Sequence, residues 1–74
     1  MVYRRIRDLR EDSDLSQAEV AQVLGCYQQT YSAYELGQRT IPPEILIALA
    51  RFHKTSVDYL LGLTDEKKPY PRIK

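Results

Sequence analysis

The chain has 74 residues, enough for one small domain, and its 43% hydrophobic and 28% charged residues argue against intrinsic disorder. A formal net charge of +1 excludes nucleic-acid binding through bulk charge alone, so such a function would depend on where individual charges lie. The sequence shows no apolar leader after Met1, no run long enough to span a membrane, and a lone Cys26 that cannot form an internal disulfide. These features predict a cytoplasmic protein without a membrane partner.

The first predicted element is an amphipathic helix over about residues 2–11. Val2, Ile6 and Leu9 are spaced four and three residues apart, which places them on one helical face. Asp14 tolerates the left-handed backbone conformation that ends such a helix. The same segment carries a cluster of arginines, which could form either a solvated helix face or a face that binds phosphates: Arg4, Arg5, Arg7 and Arg10.

A second helix is predicted over about residues 17–24. Ser16 and Glu19 have the spacing of a capping box, and Gly25 supplies the left-handed conformation that commonly ends a helix. The predicted buried face of this helix consists of Val20, Ala21 and Leu24.

A third helix follows almost at once, over about residues 28–36, with Tyr31 and Tyr34 on its buried face. Because only three residues connect it to the second helix, the two must cross at a large angle. Ala21 is small enough for such a crossing. This arrangement predicts a helix-turn-helix.

Two more helices are predicted towards the C-terminus. Pro42 and Pro43 suit the start of a fourth helix, where a missing N–H group is tolerated, and Ser56 caps a short fifth helix, VDYLL. The prediction is therefore an all-α, compact five-helix domain over residues 1–63. Residues 64–74 lack periodicity, and we expect a tail that is mobile unless a partner orders it. The fourth helix has a wide apolar face: Ile45, Leu46, Leu49, Ala50 and Phe52.

The segments LSQAEVAQVLGCYQQTYSAYELGQRTIP and SVDYLLG resemble the lambda-repressor-like family of helix-turn-helix domains, also called the Cro or XRE family. The resemblance covers about residues 3–63. It implies a five-helix domain that binds double-stranded DNA, usually as a homodimer, with the third helix in the major groove.

The resemblance also implies roles for particular residues. Gln17 would contact a phosphate and support the first base-reading residue, and Arg10 would pair with Glu35 and face the DNA backbone. Ala33 replaces the longer polar side chain often found at its position. The implied base-reading residues lie on the exposed face of the third helix: Gln28, Gln29, Ser32 and Ala33. The implied dimer interface lies in the fifth helix, although these side chains could instead close the core: Val57, Tyr59, Leu60 and Leu61.

The adjacent glutamines Gln28 and Gln29 have a chemistry that suits base recognition. A glutamine carboxamide offers one acceptor and two donors, which match the N7 and N6 edge of adenine. The alternative is that the pair only solvates a surface helix. Arg39, in the loop after the third helix, is the best remaining candidate for a phosphate contact.

The turn residues and the single histidine have less specific explanations. Tyr27 stands where a serine or threonine cap is common, and it would either stack on a sugar of the DNA backbone or contact a thymine methyl group. Cys26 is more consistent with a small side chain that fills space in the turn than with a redox sensor. His53 is more consistent with an ordinary residue at a helix end than with a metal ligand, because no second ligand lies at metal-binding spacing. No catalytic site, metal or cofactor is predicted.

Two functions remain open from the sequence. The first is a small transcriptional regulator, most simply a repressor, that binds DNA in a sequence-specific way. The alternative is a protein-interaction module, such as an antitoxin or a degenerate helix-turn-helix domain, whose partner is a toxin or another regulator. The basic and aromatic tail residues would extend a dimer, touch phosphates or do neither: Lys67, Lys68, Tyr70, Arg72 and Lys74.

Overall fold

A computed structural model describes residues 2–69 of the chain, so Tyr70, Arg72 and Lys74 lie outside the described residues. Within that range the fold is all-α, with five helices and no strands, as predicted. None of these helices has the length and apolar character needed to cross a membrane. The helices are α1 Arg4–Asp12, α2 Gln17–Leu24, α3 Gln28–Glu35, α4 Pro43–Phe52 and α5 Val57–Leu60.

Helix α1 begins two residues later than the sequence predicted. Tyr3 is its extended N-cap, so Val2 lies outside the helix and is 54% exposed. The hydrophobic spacing identified the buried face correctly, because Ile6 and Leu9 are buried, but such spacing does not fix where the first turn starts. Asp14 has the predicted positive φ, 56°.

The start and end of α2 follow the predicted local chemistry. The Glu19 backbone N–H donates to Ser16 Oγ at 3.1 Å, and the Ser16 N–H donates to the Glu19 carboxylate at 2.9 Å. Gly25 ends the helix with φ of 72°. Because both ends are fixed by residues within the segment, α3 starts in a defined direction after the short turn.

The hydrophobic core is built from all five helices and the loop before α4. Tyr31 of α3, fully buried, is among its largest side chains, and Leu60 of α5 is 1% exposed. These side chains orient α3 so that one face is buried and the opposite face is left open to solvent. The buried apolar residues are Ile6, Leu9, Val20, Ala21, Tyr31, Tyr34, Ile41, Leu49, Ala50 and Leu60.

The described part of the segment after α5 contacts the domain, although a tail that is mobile unless a partner orders it was predicted from residue 64 onwards. The Arg5 guanidinium lies 4.2 Å from the centre of the Tyr59 ring, donates to the Thr64 carbonyl oxygen, and pairs with Asp65 at 2.7 Å. Thr55 Oγ1 also donates to the Lys67 carbonyl oxygen at 2.7 Å. Contacts of a side chain with a distant backbone leave no periodic pattern in the sequence, which is why this attachment was missed.

Candidate nucleic-acid interface

The solvent-facing side of α3 forms a shallow, open hollow. Of the residues that line it, Gln28 and Gln29 are exposed and Ser32 and Ala33 are partly buried. The four predicted base-reading residues and Gln17 are therefore brought together on one surface, and none of the described side chains that line it carries a charge. The lining residues are Gln17, Gln28, Gln29, Ser32, Ala33 and Gln38.

This surface follows from the periodicity of α3. Residues at spacings of four lie on the same helical face, so positions 28 and 32, and 29 and 33, form two adjacent rows. Tyr31 and Tyr34 occupy the opposite side and are buried. The helix therefore presents hydrogen-bonding side chains outward because its tyrosines are held inward.

An ion pair behind this surface joins α1 to the end of α3. Arg10 Nε lies 2.6 Å from Glu35 Oε2, and Arg10 Nη2 donates to Glu35 Oε1 at 3.1 Å. Arg10 Nη1 donates to the Leu15 carbonyl oxygen at 2.8 Å. The Arg10 side chain is only 12% exposed, so its guanidinium is occupied inside the domain and little of it is open to a DNA phosphate.

Gln17 connects this ion pair to the hollow. Its Nε2 donates to Glu35 Oε1 at 3.1 Å, and the same side chain lines the hollow beside Gln28. One hydrogen-bond network therefore runs from α1 through Glu35 to the residue that opens α2. This network fixes the amide of Gln17 at the edge of the surface.

The ion pair is ionised at neutral pH. Burial alone would raise the pKa of Glu35, but the hydrogen bonds from Arg10 and Gln17 and the positive charge of Arg10 hold it below its usual value. The hydrogen bond to Glu35 in turn raises the pKa of Arg10. Burial, with the negative charge of Glu35, also raises the pKa of the neighbouring Tyr31 phenol.

We expect Glu35 to make the domain sensitive to acid. Because its folded pKa lies below its unfolded value of about 4.3, its contribution is fully present above that value and is lost as the pH falls through the folded pKa. Glu35→Gln should be less stable at pH 7 but should lose less further stability on acidification. Urea unfolding of both proteins at pH 7 and at lower pH tests this, and parallel losses would contradict it.

Comparison with known proteins agrees with this architecture. A family model described as helix-turn-helix matches residues 6–60. The chain belongs to the helix-turn-helix family, in its lambda-repressor-like branch. The family is one of DNA-binding transcriptional regulators.

Several curated relatives of this helix-turn-helix chain are named as regulators. It is 38% identical over 69 residues to the uncharacterized HTH-type transcriptional regulator YobD of Bacillus subtilis, covering 93% of this chain and 62% of YobD. It is 39% identical over 62 residues to the cryptic phage CTXphi transcriptional repressor RstR of Vibrio cholerae, covering 84% of this chain and 56% of RstR. The HTH-type transcriptional regulator AnsR of B. subtilis is 35% identical over 68 residues, covering 92% and 59%. The chain thus spans about three fifths of these relatives' length.

Two further residues predicted to contact DNA flank α3. Tyr27 is the N-cap of α3, makes no side-chain capping hydrogen bond and is 80% exposed. Arg39 is exposed in the loop after α3, and no ion pair involves it among residues 2–69. Both side chains are therefore accessible to a ligand that approaches the exposed face of α3.

The predicted dimer residues divide into two groups. Leu60 is 1% exposed and belongs to the core, which is the alternative that the sequence left open. Val57, Tyr59 and Leu61 are partly exposed. A second copy could therefore contact these three side chains but not Leu60, because the side chain of Leu60 points into the domain.

Cys26 and His53 both pack against other side chains of the domain. Cys26 is partly buried and packs against the core beside the turn. The ring of His53 contacts Phe52 edge-on, and burial lowers the pKa of His53, as does the nearby charge of Lys67. Among residues 2–69, no group of three or more potential ligands is placed to hold a metal ion.

Proposed function

We propose that this chain is a sequence-specific transcriptional regulator, acting as a repressor, that binds double-stranded DNA with α3 in the major groove. The observation that carries the proposal is the exposed face of α3, where uncharged hydrogen-bonding groups are concentrated on a helix of fixed orientation. The names of the relatives support regulation, and the name of RstR supports repression.

Base recognition is assigned to the first turn of α3. The carboxamides of Gln28 and Gln29 are exposed, so each can present a donor and an acceptor to the edge of an adenine in the major groove. Ser32 adds a hydroxyl that can bond to any base edge, and Ala33 offers only a methyl contact. The reading face therefore favours A·T pairs opposite its N-terminal half.

Backbone contacts are assigned to the rim of the same surface. Gln17 has a second amide hydrogen beyond the one used by Glu35, and Arg39 supplies a positive charge without an internal partner in the described part of the chain. Tyr27 can pack on a sugar. We assign Arg10 to holding α3 in place rather than to a phosphate, since three of its five N–H donors bond to Glu35 and Leu15 and its side chain is only 12% exposed.

We further propose that the chain binds as a homodimer. One copy with a net charge of +1 makes few phosphate contacts, so its binding alone should be weak and salt-sensitive. Two copies related by a two-fold axis would place two α3 helices about 34 Å apart, on successive major grooves. Val57, Tyr59 and Leu61 are the partly exposed candidates for the contact between copies.

The variant Arg39→Ala tests the assignment of phosphate attraction. We expect weaker binding to all duplexes by a similar factor, and a salt dependence whose slope decreases by about one for each phosphate that Arg39 neutralises in the wild type. Titration of labelled duplexes at several salt concentrations measures both quantities. A change confined to some sequences would instead assign Arg39 to a base edge, and an unchanged slope would remove it from the interface.

A further inference from the structure

Among the described residues that line the hollow, Gln38 is the one outside the helix-turn-helix. It follows Gly37, whose φ of 74° turns the chain back at the end of α3. The Gln38 N–H donates to the Ala33 carbonyl oxygen at 2.9 Å, and the Arg39 N–H bonds to the same oxygen at 3.3 Å. The backbone of Gln38 is therefore fixed beside Ala33 while its side chain stays exposed.

This position compensates for a gap in the reading face of α3. Ala33 ends at its methyl group, so the second half of this face has no long hydrogen-bonding side chain from the helix itself. Gln38 brings a carboxamide to the same end of the hollow from the following loop. Its three hydrogen-bonding sites are of the same kind as those of Gln28 and Gln29.

We propose that Gln38 is a specificity-determining residue that reads an adenine, and that the recognition surface is a composite of α3 and the loop after it. Ala33 lies four positions after Gln29, which corresponds to about 6 Å along the helix. That distance is close to two steps of about 3.4 Å along a DNA strand. Gln38 therefore reads a base pair about two steps from those read by the glutamine pair. This inference rests on the proposed function.

The test is selection from a random duplex pool with the wild type, Gln38→Ala and Gln22→Ala. Gln22 is an exposed glutamine of α2 that does not line the hollow, so it controls for removal of a surface carboxamide. We expect Gln38→Ala to lose discrimination of roughly 5- to 150-fold at one position in each half-site. Affinity for unrelated duplexes and the melting temperature should not change, since Gln38 is exposed.

A second variant distinguishes base reading from a passive contact. Glutamate accepts a hydrogen bond from the cytosine amino group, so Gln38→Glu should shift the preference at that same position from adenine towards cytosine. Uniform weakening on all sequences by Gln38→Ala, or selection of an unchanged site, would overturn the inference while leaving the proposed function intact. A wild type that enriches no site would contradict both.

Discussion

Replacing Arg10 by alanine should destabilise the domain by about 3–5 kcal/mol, because it leaves the buried carboxylate of Glu35 without its charged partner. Glu35 is 6% exposed and would keep the hydrogen bond from Gln17 but no positively charged partner at this site. The Leu15 carbonyl oxygen also loses its donor. For a chain of this size, total stability is on the order of 4–11 kcal/mol, so the loss takes a large part of it or all of it.

Arg4→Ala is the matched control for this loss. Arg4 lies in the first turn of the same helix, is exposed, and forms no ion pair within residues 2–69. We expect its removal to change stability by less than about 0.5 kcal/mol. Thermal and urea unfolding of the two variants measures the difference, and equal melting temperatures would show that the pair does not hold α1 to α3.

The double variant Gln28→Ala/Gln29→Ala should lose sequence preference while it retains non-specific binding. Each well-formed pair between a glutamine and an adenine contributes about 1–3 kcal/mol of discrimination. The phosphate contacts assigned to the rim do not depend on these two side chains, so affinity for unrelated duplexes should be nearly unchanged. Competition binding with specific and scrambled duplexes measures the two effects separately.

Gln22→Ala again serves as the control, because it removes an exposed carboxamide without touching the hollow. Both proteins should fold as the wild type does, since all three glutamines are exposed. If the double variant retained its preference for the specific duplex, base reading would have to be reassigned away from the first turn of α3.

The features that the sequence predicted well are those fixed by neighbours in the chain. Ser16 and Glu19 are hydrogen-bonded to each other and lie three positions apart in the sequence. Gly25 adopts the left-handed conformation at the end of α2 that glycine favours at such positions. The face of α3 was also predictable, since Tyr31 and Tyr34 mark its buried side. For these features, local hydrogen bonding and hydrophobic periodicity contain the necessary information.

The features that were missed depend on contacts between distant residues or on loop geometry. Arg5 bonds to Thr64 and Asp65, which lie about sixty positions further along the chain. Its place in a cluster of arginines near the N-terminus does not indicate which distant residues it contacts. Gln38 lies outside α3, so no helical spacing assigns it to the reading face. Gly37 and the two N–H bonds to Ala33 bring it there. The hydrogen bond from Arg10 to the Leu15 carbonyl oxygen likewise forms only when the loop between α1 and α2 is folded.

The most direct test of the central claim is selection of bound DNA from a random duplex pool by the purified protein, at about physiological salt and with folding verified by circular dichroism. We predict a two-fold symmetric site with half-sites about one helical turn apart and A·T pairs opposite the first turn of α3. If folded protein enriched no sequence, the DNA-reading role of α3 would be contradicted, and a protein-binding module with a partner such as a toxin would take its place.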